Sequence, residues 1–357
     1  MAAPLKALLD KRSLALTRAK LRAWWEGEEF DESAALAAIE AEQTVAPANE
    51  NDGDADDALF DAPAYELPPR LKALEIIWGK DRIRPGDSTA DQLDPAALGL
   101  APDGVLAVLG PGLIGPLGAV AAAHPGPIEA LEWREETLAA LKAGIARSGL
   151  NERVKVSRID VEAFAISANA YDALLSTDDF AYCSHPPHLA QKIAKGLKPN
   201  ARAVVESYVG FRAAELATAF ATSFAEPSIQ AHGDLLYVLG EAGLLLEADE
   251  DITDPFLETA RGAFKQLSER LATHGDLEPA VARELAWEAE AWRMRIKLLA
   301  QRRLERRRFI LRKPREDEDL TPAAEPEAPA PEVEGEPDLK YLEVLERVRS
   351  EKEKGKS

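Results

Sequence analysis

The segment Gly110-Pro-Gly112-Leu-Ile-Gly115-Pro-Leu-Gly118 carries the clearest chemical signal in the chain. It follows an apolar run that reads as a buried strand, Gly104 to Leu109, and it opens a helix through Ala123. In that setting glycines let the backbone turn tightly and let a nucleotide approach where a Cβ would stand in the way. Glu132, about 20 residues on and ending the next strand, is placed to accept hydrogen bonds from ribose hydroxyls. Asp160 ends the third strand, where a carboxylate can hold an adenine amino group. The turn and its two acids in register point to an adenosine-containing ligand. A plainer reading uses the same residues for packing alone: glycines bring a helix close to a sheet, and the acids are solvated strand ends.

The loop Thr177 to His188 (TDDFAYCSHPPH) follows the fourth expected strand and would edge the same pocket. Its Tyr182 can orient a hydroxyl or an amine, but tyrosine phenols ionise near about pH 10 and are poor bases at neutral pH. Cys183, His185 and His188 form a C-x-H-x-x-H cluster of metal-ligand types. Pro186 and Pro187 intervene and no second ligand group is apparent, so no metal is expected; a buried cysteine among structural histidines is the commoner arrangement. Arg302, Arg303, Arg306, Arg307 and Arg308 cluster near the end of a long helical stretch, Pro279 to Arg307. They read as a solvated face interleaved with Glu305, or as a docking face for an acidic partner such as residues 46–66.

Alternating strands and helices must position these groups. After Gly104 to Leu109 come strand-like runs at Pro127 to Glu132, Arg153 to Ile159, Tyr171 to Ser176 and Ala201 to Tyr208, with a helix at Glu135 to Ser148. Strands alternating with helices of this length mean βαβ units, right-handed crossovers and an open doubly wound sheet. Past Phe211 the pattern is mostly helical, with strand candidates at Leu245 to Asp249 and Arg308 to Arg312.

The 357 residues are 46% hydrophobic, enough for one large core, and carry 43 basic against 63 acidic residues for a formal net charge of −20. Such an acid excess argues against general nucleic-acid binding, which needs a basic face. One cysteine excludes a disulfide framework. No apolar run reaches the roughly 18 residues of a membrane span, and the charged N-terminus has no secretory pattern, so a cytoplasmic protein is expected. Residues 1–24 suggest a basic amphipathic helix, 46–57 a stretch too polar to bury a core, and 316–337 a Pro/Glu-rich tether before a short terminal amphipathic segment.

Leu106 to Leu117 (LAVLGPGLIGPL) resembles motif I of class I S-adenosylmethionine-dependent methyltransferases, V-L-D-I-G-x-G-x-G-G-P-A. Glu132-Trp-Arg-Glu-Glu-Thr-Leu is similar to the family's second-strand acid and helix start, Val154 to Glu162 to its third strand, and Tyr171 to Ser176 to its F-D-x-V-x-S strand. Leu197-Lys-Pro-Asn200 sits where the L-K-P-G turn before strand five belongs. Ile77-Trp-Gly-Lys80 with Pro85-Gly-Asp87, and Leu236 to Gly243, resemble segments of the small-molecule subgroup that includes phosphoethanolamine, dimethylglycine and sterol methyltransferases.

This resemblance covers roughly residues 70–313. It implies a Rossmann-like α/β sheet of seven strands, mostly parallel with the last antiparallel, in a domain of residues 69–313 flanked by extensions at 1–68 and 314–357. It implies S-adenosyl-L-methionine as cofactor, held by Gly110, Gly112, Gly115, Glu132, Asp160, Val161 and Ser176. It implies a small-molecule or lipid-like methyl acceptor near Asp178, which matches the Asp of the family's S-R-D-x-x-x-H loop, and Tyr182, which replaces its His. The terminal helices leave room for a protein partner.

Two positions depart from the pattern. Val108 replaces the strand-one acid, and Ile114 replaces the third motif glycine. A non-catalytic methyltransferase-like protein is therefore the alternative. An NAD-dependent oxidoreductase, resting on the glycine spacing alone, is a distant third.

Overall fold

The computed structural model describes residues 65–86, 98–210, 228–273 and 277–318. Most of the expected extensions, and residues 211–227, lie outside the described residues. The chain divides into a unit ending at Arg315 and a second beginning at Glu316; the fold below belongs to the first.

The apolar runs of the sheet's centre form strands because they are buried on both faces, which only a covered sheet provides. Strands β1 (Leu106–Leu109), β2 (Ile128–Glu132), β3 (Val154–Arg158), β4 (Tyr171–Thr177) and β5 (Leu197–Gly210) pair in parallel in the order β3-β2-β1-β4-β5. The two-residue β6 (Gln230–Ala231) adds in parallel to the end of β5. β7 (Leu245–Asp251) and β8 (Leu304–Arg312) complete the sheet, with β8 between β5 and β7 and antiparallel to both. The reversed last strand is as expected.

Seven α-helices accompany the sheet among the described residues: α1 (Pro69–Trp78), α2 (Ile114–Ala123), α3 (Glu135–Arg147), α4 (Pro186–Gly196), α5 (His232–Glu241), α6 (Thr253–Thr273) and α7 (Pro279–Ala300). Side chains alternate along each strand, so each strand feeds two cores. Ala107, Leu109, Val205 and Phe309 pack with Leu189 and Ile193 of α4 and Leu235 of α5. On the other face Leu106, Val108 and Ile128 meet Leu117 of α2 and Leu141 of α3. Towards β8 that face passes to Tyr208 and Leu304, covered by α1, α6 and α7. Trp78 anchors this last layer edge-on to Phe264 (ring centroids 5.4 Å apart) and Trp292 (4.4 Å). Among the described residues no helix is long and apolar enough to cross a membrane.

Three boundaries differ from expectation. Leu197 to Asn200 is not a turn before β5 but its beginning: Leu197 pairs with Tyr171 through a register irregularity, and Asn200, in the left-handed region, donates its N–H to Lys313 O at 3.0 Å. Asp160 lies two residues past β3 rather than at its end. The last long helix stops at Ala300, where Arg302 takes a left-handed conformation (φ 54°), and β8 begins at Leu304. The arginine cluster therefore lies on a turn and a strand, not on a helix.

Val108 and Ile114 belong to the layer under α2 and α3. Ile114 lies against Gly144 of α3, where an added Cβ would come within 2.7 Å of the Ile114 side chain. The branched residue at the third motif position thus fills the gap its partner helix leaves. Ile114→Gly should cost about 3–5 kcal/mol in urea denaturation, from the cavity and the loss of helix propensity. It should leave ligand binding no tighter in calorimetric titration.

Candidate functional site

The strand order reverses between β1 and β4, and ligands of doubly wound sheets bind at such a reversal, outside the carboxyl ends of the strands. Here those ends carry Gly110 after β1, Glu132 at the end of β2, and Asp178 and Asp179 after β4. Gly110 (φ 57°) and Gly112 (φ 78°) both adopt the left-handed conformation that favours glycine.

Glu132 is fully buried, at 0% exposure. Its Oε2 accepts the Gly112 N–H at 2.7 Å, which ties the second strand to the glycine turn. Its Oε1 accepts from Arg134 twice, from the backbone N–H at 2.7 Å and from Nη1 at 3.2 Å. Arg134 is itself only 4% exposed. Its Nη1 also donates to Gly110 O at 3.2 Å, and its guanidinium lies over the Trp133 ring at 4.1 Å.

Asp179 completes this cluster. It accepts from Trp133 Nε1 and from Ser176 Oγ, each at 2.7 Å. Burial pushes its carboxyl up to about 6, against the pull of Arg134. Neighbouring Asp178 goes the other way: burial opposes its charge, but Arg306 and Arg84 hold it below the ordinary value. Asp178 pairs with Arg306 Nη1, while Arg306 Nη2 reaches Glu206 at 3.3 Å. Arg306 is 1% exposed and lies over Tyr208 at 4.6 Å. It is no solvated residue, because strand alternation turns it inward.

The structure therefore brings together Gly110, Gly112, Glu132 and Ser176. Gly115 stands at the first turn of α2, where its N–H donates to Asp81 O at 3.0 Å. Asp160 and Val161, with Trp133, Arg158 and Ile159, line an adjoining open depression of about 460 Å³. Asp160 is exposed and caps the Glu162 N–H at 2.9 Å; Val161 is buried. Tyr182 is half-buried beside Trp133, ring centroids 5.6 Å apart. Asp179, Arg134 and Trp133 were not expected as site residues, although Asp179 directly follows Asp178 and Arg134 lies two residues after the acid, and Arg306 was expected on a solvated or docking face.

The Cys183 cluster belongs to the loop's own framework. Cys183 is buried 3.4 Å from Glu162 Oε2, and desolvation pushes its thiol up to about 12. His185 Nδ1 lies 3.2 Å from the same carboxylate and stacks on His188.

The glycine turn fits an adenosyl cofactor only in part. The depression by Asp160 is open to an adenine. The adjoining turn is closed by the chain itself: an added Cβ would strike Asp179 Oδ1 at Gly110, come within 2.9 Å of Ile83 at Gly112, and within 2.7 Å of Asp81 O at Gly115. With Glu132 sealed under Arg134, a ribose does not reach its carboxylate in this arrangement.

No family model and no curated protein matches the chain. Solved structures match its fold. Phosphoethanolamine N-methyltransferase 2 of Haemonchus contortus, in complex with S-adenosyl-L-methionine, aligns with a TM-score of 0.59 at 17% identity, over 69% of this chain and 57% of that one. The [4+2]-cyclase SpnF aligns with a TM-score of 0.55 at 19% identity, over 69% of this chain and 93% of that one. At these identities the likeness establishes the fold alone, the Rossmann-like α/β sheet that these structures share.

Two stability outcomes follow from the buried charges. Arg306→Met should cost about 3–5 kcal/mol in urea denaturation, because it strands Asp178, and adding Asp178→Asn should recover much of that loss. For Asp179 the folded value lies above the roughly 4 of an unfolded aspartate. Its contribution to stability is full below about pH 4 and is lost as pH rises through about 6. The stability of Asp179→Asn relative to the parent should therefore rise between pH 4 and 7 in the same assay; a constant difference would mean that Asp179 does not titrate there.

Proposed function

We propose that this chain is an S-adenosylmethionine-dependent methyltransferase acting on a small-molecule or lipid-like acceptor. The supporting observation is Glu132, an acid at the end of β2 that receives the Gly112 N–H across the glycine turn, at the reversal of strand order. Beside it the depression lined by Trp133, Asp160 and Val161 offers two apolar side chains and one carboxylate, the surface an adenine needs. The cofactor would supply the electrophilic methyl group; methyl transfer otherwise asks the protein mainly for proximity and orientation. Asp178 and Tyr182 flank the loop where an acceptor would lie, with Asp178 positioning that loop through Arg306 rather than standing free as a base. A small acceptor accords with the fold neighbour named for phosphoethanolamine. A cytoplasmic location belongs to the same proposal, in keeping with a single free cysteine.

A second reading, a non-catalytic methyltransferase-like protein, is favoured by one observation: Arg134 closes the Glu132 carboxylate. Calorimetric titration of the full chain with S-adenosylhomocysteine and with NAD separates the readings. Saturable binding of the first and none of the second is expected, with Asp160→Ala weakening it by about 1–2 kcal/mol as the adenine loses a partner. NAD binding in its place would move the chain to the oxidoreductases.

A further inference from the structure

Arg134 breaks a local rule. It is the N-cap residue of α3, a position where Ser, Thr, Asp or Asn accepts a hydrogen bond from the first turn, and its side chain makes no capping bond. Its positive charge also stands at the positive end of the helix dipole. The chain forgoes a cap here and buries a guanidinium instead, and the helix gains nothing from the exchange. The gain is at the glycine turn. Arg134 Nη1 joins Glu132 Oε1 to Gly110 O, both at 3.2 Å, with the guanidinium over the Trp133 ring. Nη1 also lies 3.2 Å from where a Gly110 Cβ would be, beside the Asp179 carboxylate that comes nearer still, so cation and acid together close over the glycine.

We propose that Arg134 is an internal occupant of the ribose and methionine end of the cofactor site, a built-in cation that an adenosyl ligand must displace before it can bind. This rests on the methyltransferase reading above. Glu132 is fully buried, so without a ligand it needs a donor set of its own; the backbone N–H groups of Gly112 and Arg134 supply two hydrogen bonds and the Arg134 guanidinium supplies the third, together with the charge. The seat suits a cation, since Asp179 and Asp178 also face it. A sulfonium ligand brings a positive charge and ribose hydroxyl donors to the same acids, so the exchange is cation for cation. The way out is short. The open depression begins at Trp133, the neighbouring residue, and the exposed Glu135 and Glu136 of the first turn of α3 lie on the outer side.

Arg134→Ser tests this, because serine vacates the seat while supplying the missing N-cap. Arg134→Ala is the companion that vacates it without a cap. In calorimetric titration of the full chain, both variants should bind S-adenosylmethionine, which carries the sulfonium charge, at least tenfold more tightly than the parent, with the serine variant melting at least as high as the alanine one. Low-millimolar guanidinium should refill the vacated seat, weakening binding to Arg134→Ser while leaving the parent little changed. A purely structural arginine would not give that response. If the parent binds and the folded variants bind no tighter, Arg134 is not an occupant and the cofactor reading stands. If neither the parent nor the folded variants bind, the proposed function falls and the occupant with it.

Discussion

Ionised groups shut away from water must neutralise one another, and this constraint organises the carboxyl edge of the sheet. Glu132, Asp178 and Asp179 are all buried there, with Glu206 half-buried beside them. The cations that answer them come from separate elements: Arg134 from the start of α3 and Arg306 from near the start of β8. Each pairing ties one stretch of chain to another. Glu132 holds the glycine turn to the second strand, and Arg306 holds the last strand to the loop after the fourth. Such pairs add little stability over an apolar core of the same shape, yet breaking one leaves an uncompensated charge. They fix which arrangement is adopted more than how stable it is.

The same logic explains the arginines of β8. Arg307 pairs with Asp249 at 2.7 Å and Arg308 with Glu206 at 2.7 Å, while Arg312 reaches Glu247 at 2.9 Å. The acid-rich edge strand β7 would otherwise repel itself, and opposite charges across neighbouring strands stabilise the pairing. The sharp acid excess of the whole chain therefore says little about this part of it, where acids are shared among several arginines.

The central parallel strands β1, β2 and β4 were legible because they are mostly buried apolar runs bounded by turn residues. The glycine turn and Glu132 were legible for the same local reason. What was hidden depends on contacts distant in sequence. Arg302 takes the left-handed position at the end of α7 that glycine usually holds, so the helix ends without its usual marker. In β8 the inward residues are Leu304 and Arg306 at one end and Phe309 and Leu311 at the other, because the strand buries opposite faces against different helical layers. That change of phase erases the alternation by which a strand is recognised, and three successive arginines then look solvated. The inward turn of Arg134 was hidden too, since nothing local distinguishes an arginine that faces solvent from one that folds back onto an acid two residues earlier.

Helix N-termini gather at the carboxyl edge of a parallel sheet, since each helix there begins where a strand ends. Their partial positive charges favour acids at this edge and work against bases. Acids there are accordingly partly stabilised by the fold itself: the exposed Glu135 and Glu136 open α3, and the loop after β4 carries its two buried aspartates. A guanidinium in the same place is held by the specific carboxylates around it, against the field of the helix. The arrangement of charge at the glycine turn is thus one in which the acids belong to the architecture and the cation is an occupant. Whatever satisfies Glu132 has to carry donors or positive charge of its own, and the residue that does so in this structure is the one whose backbone position gives it the least reason to be there.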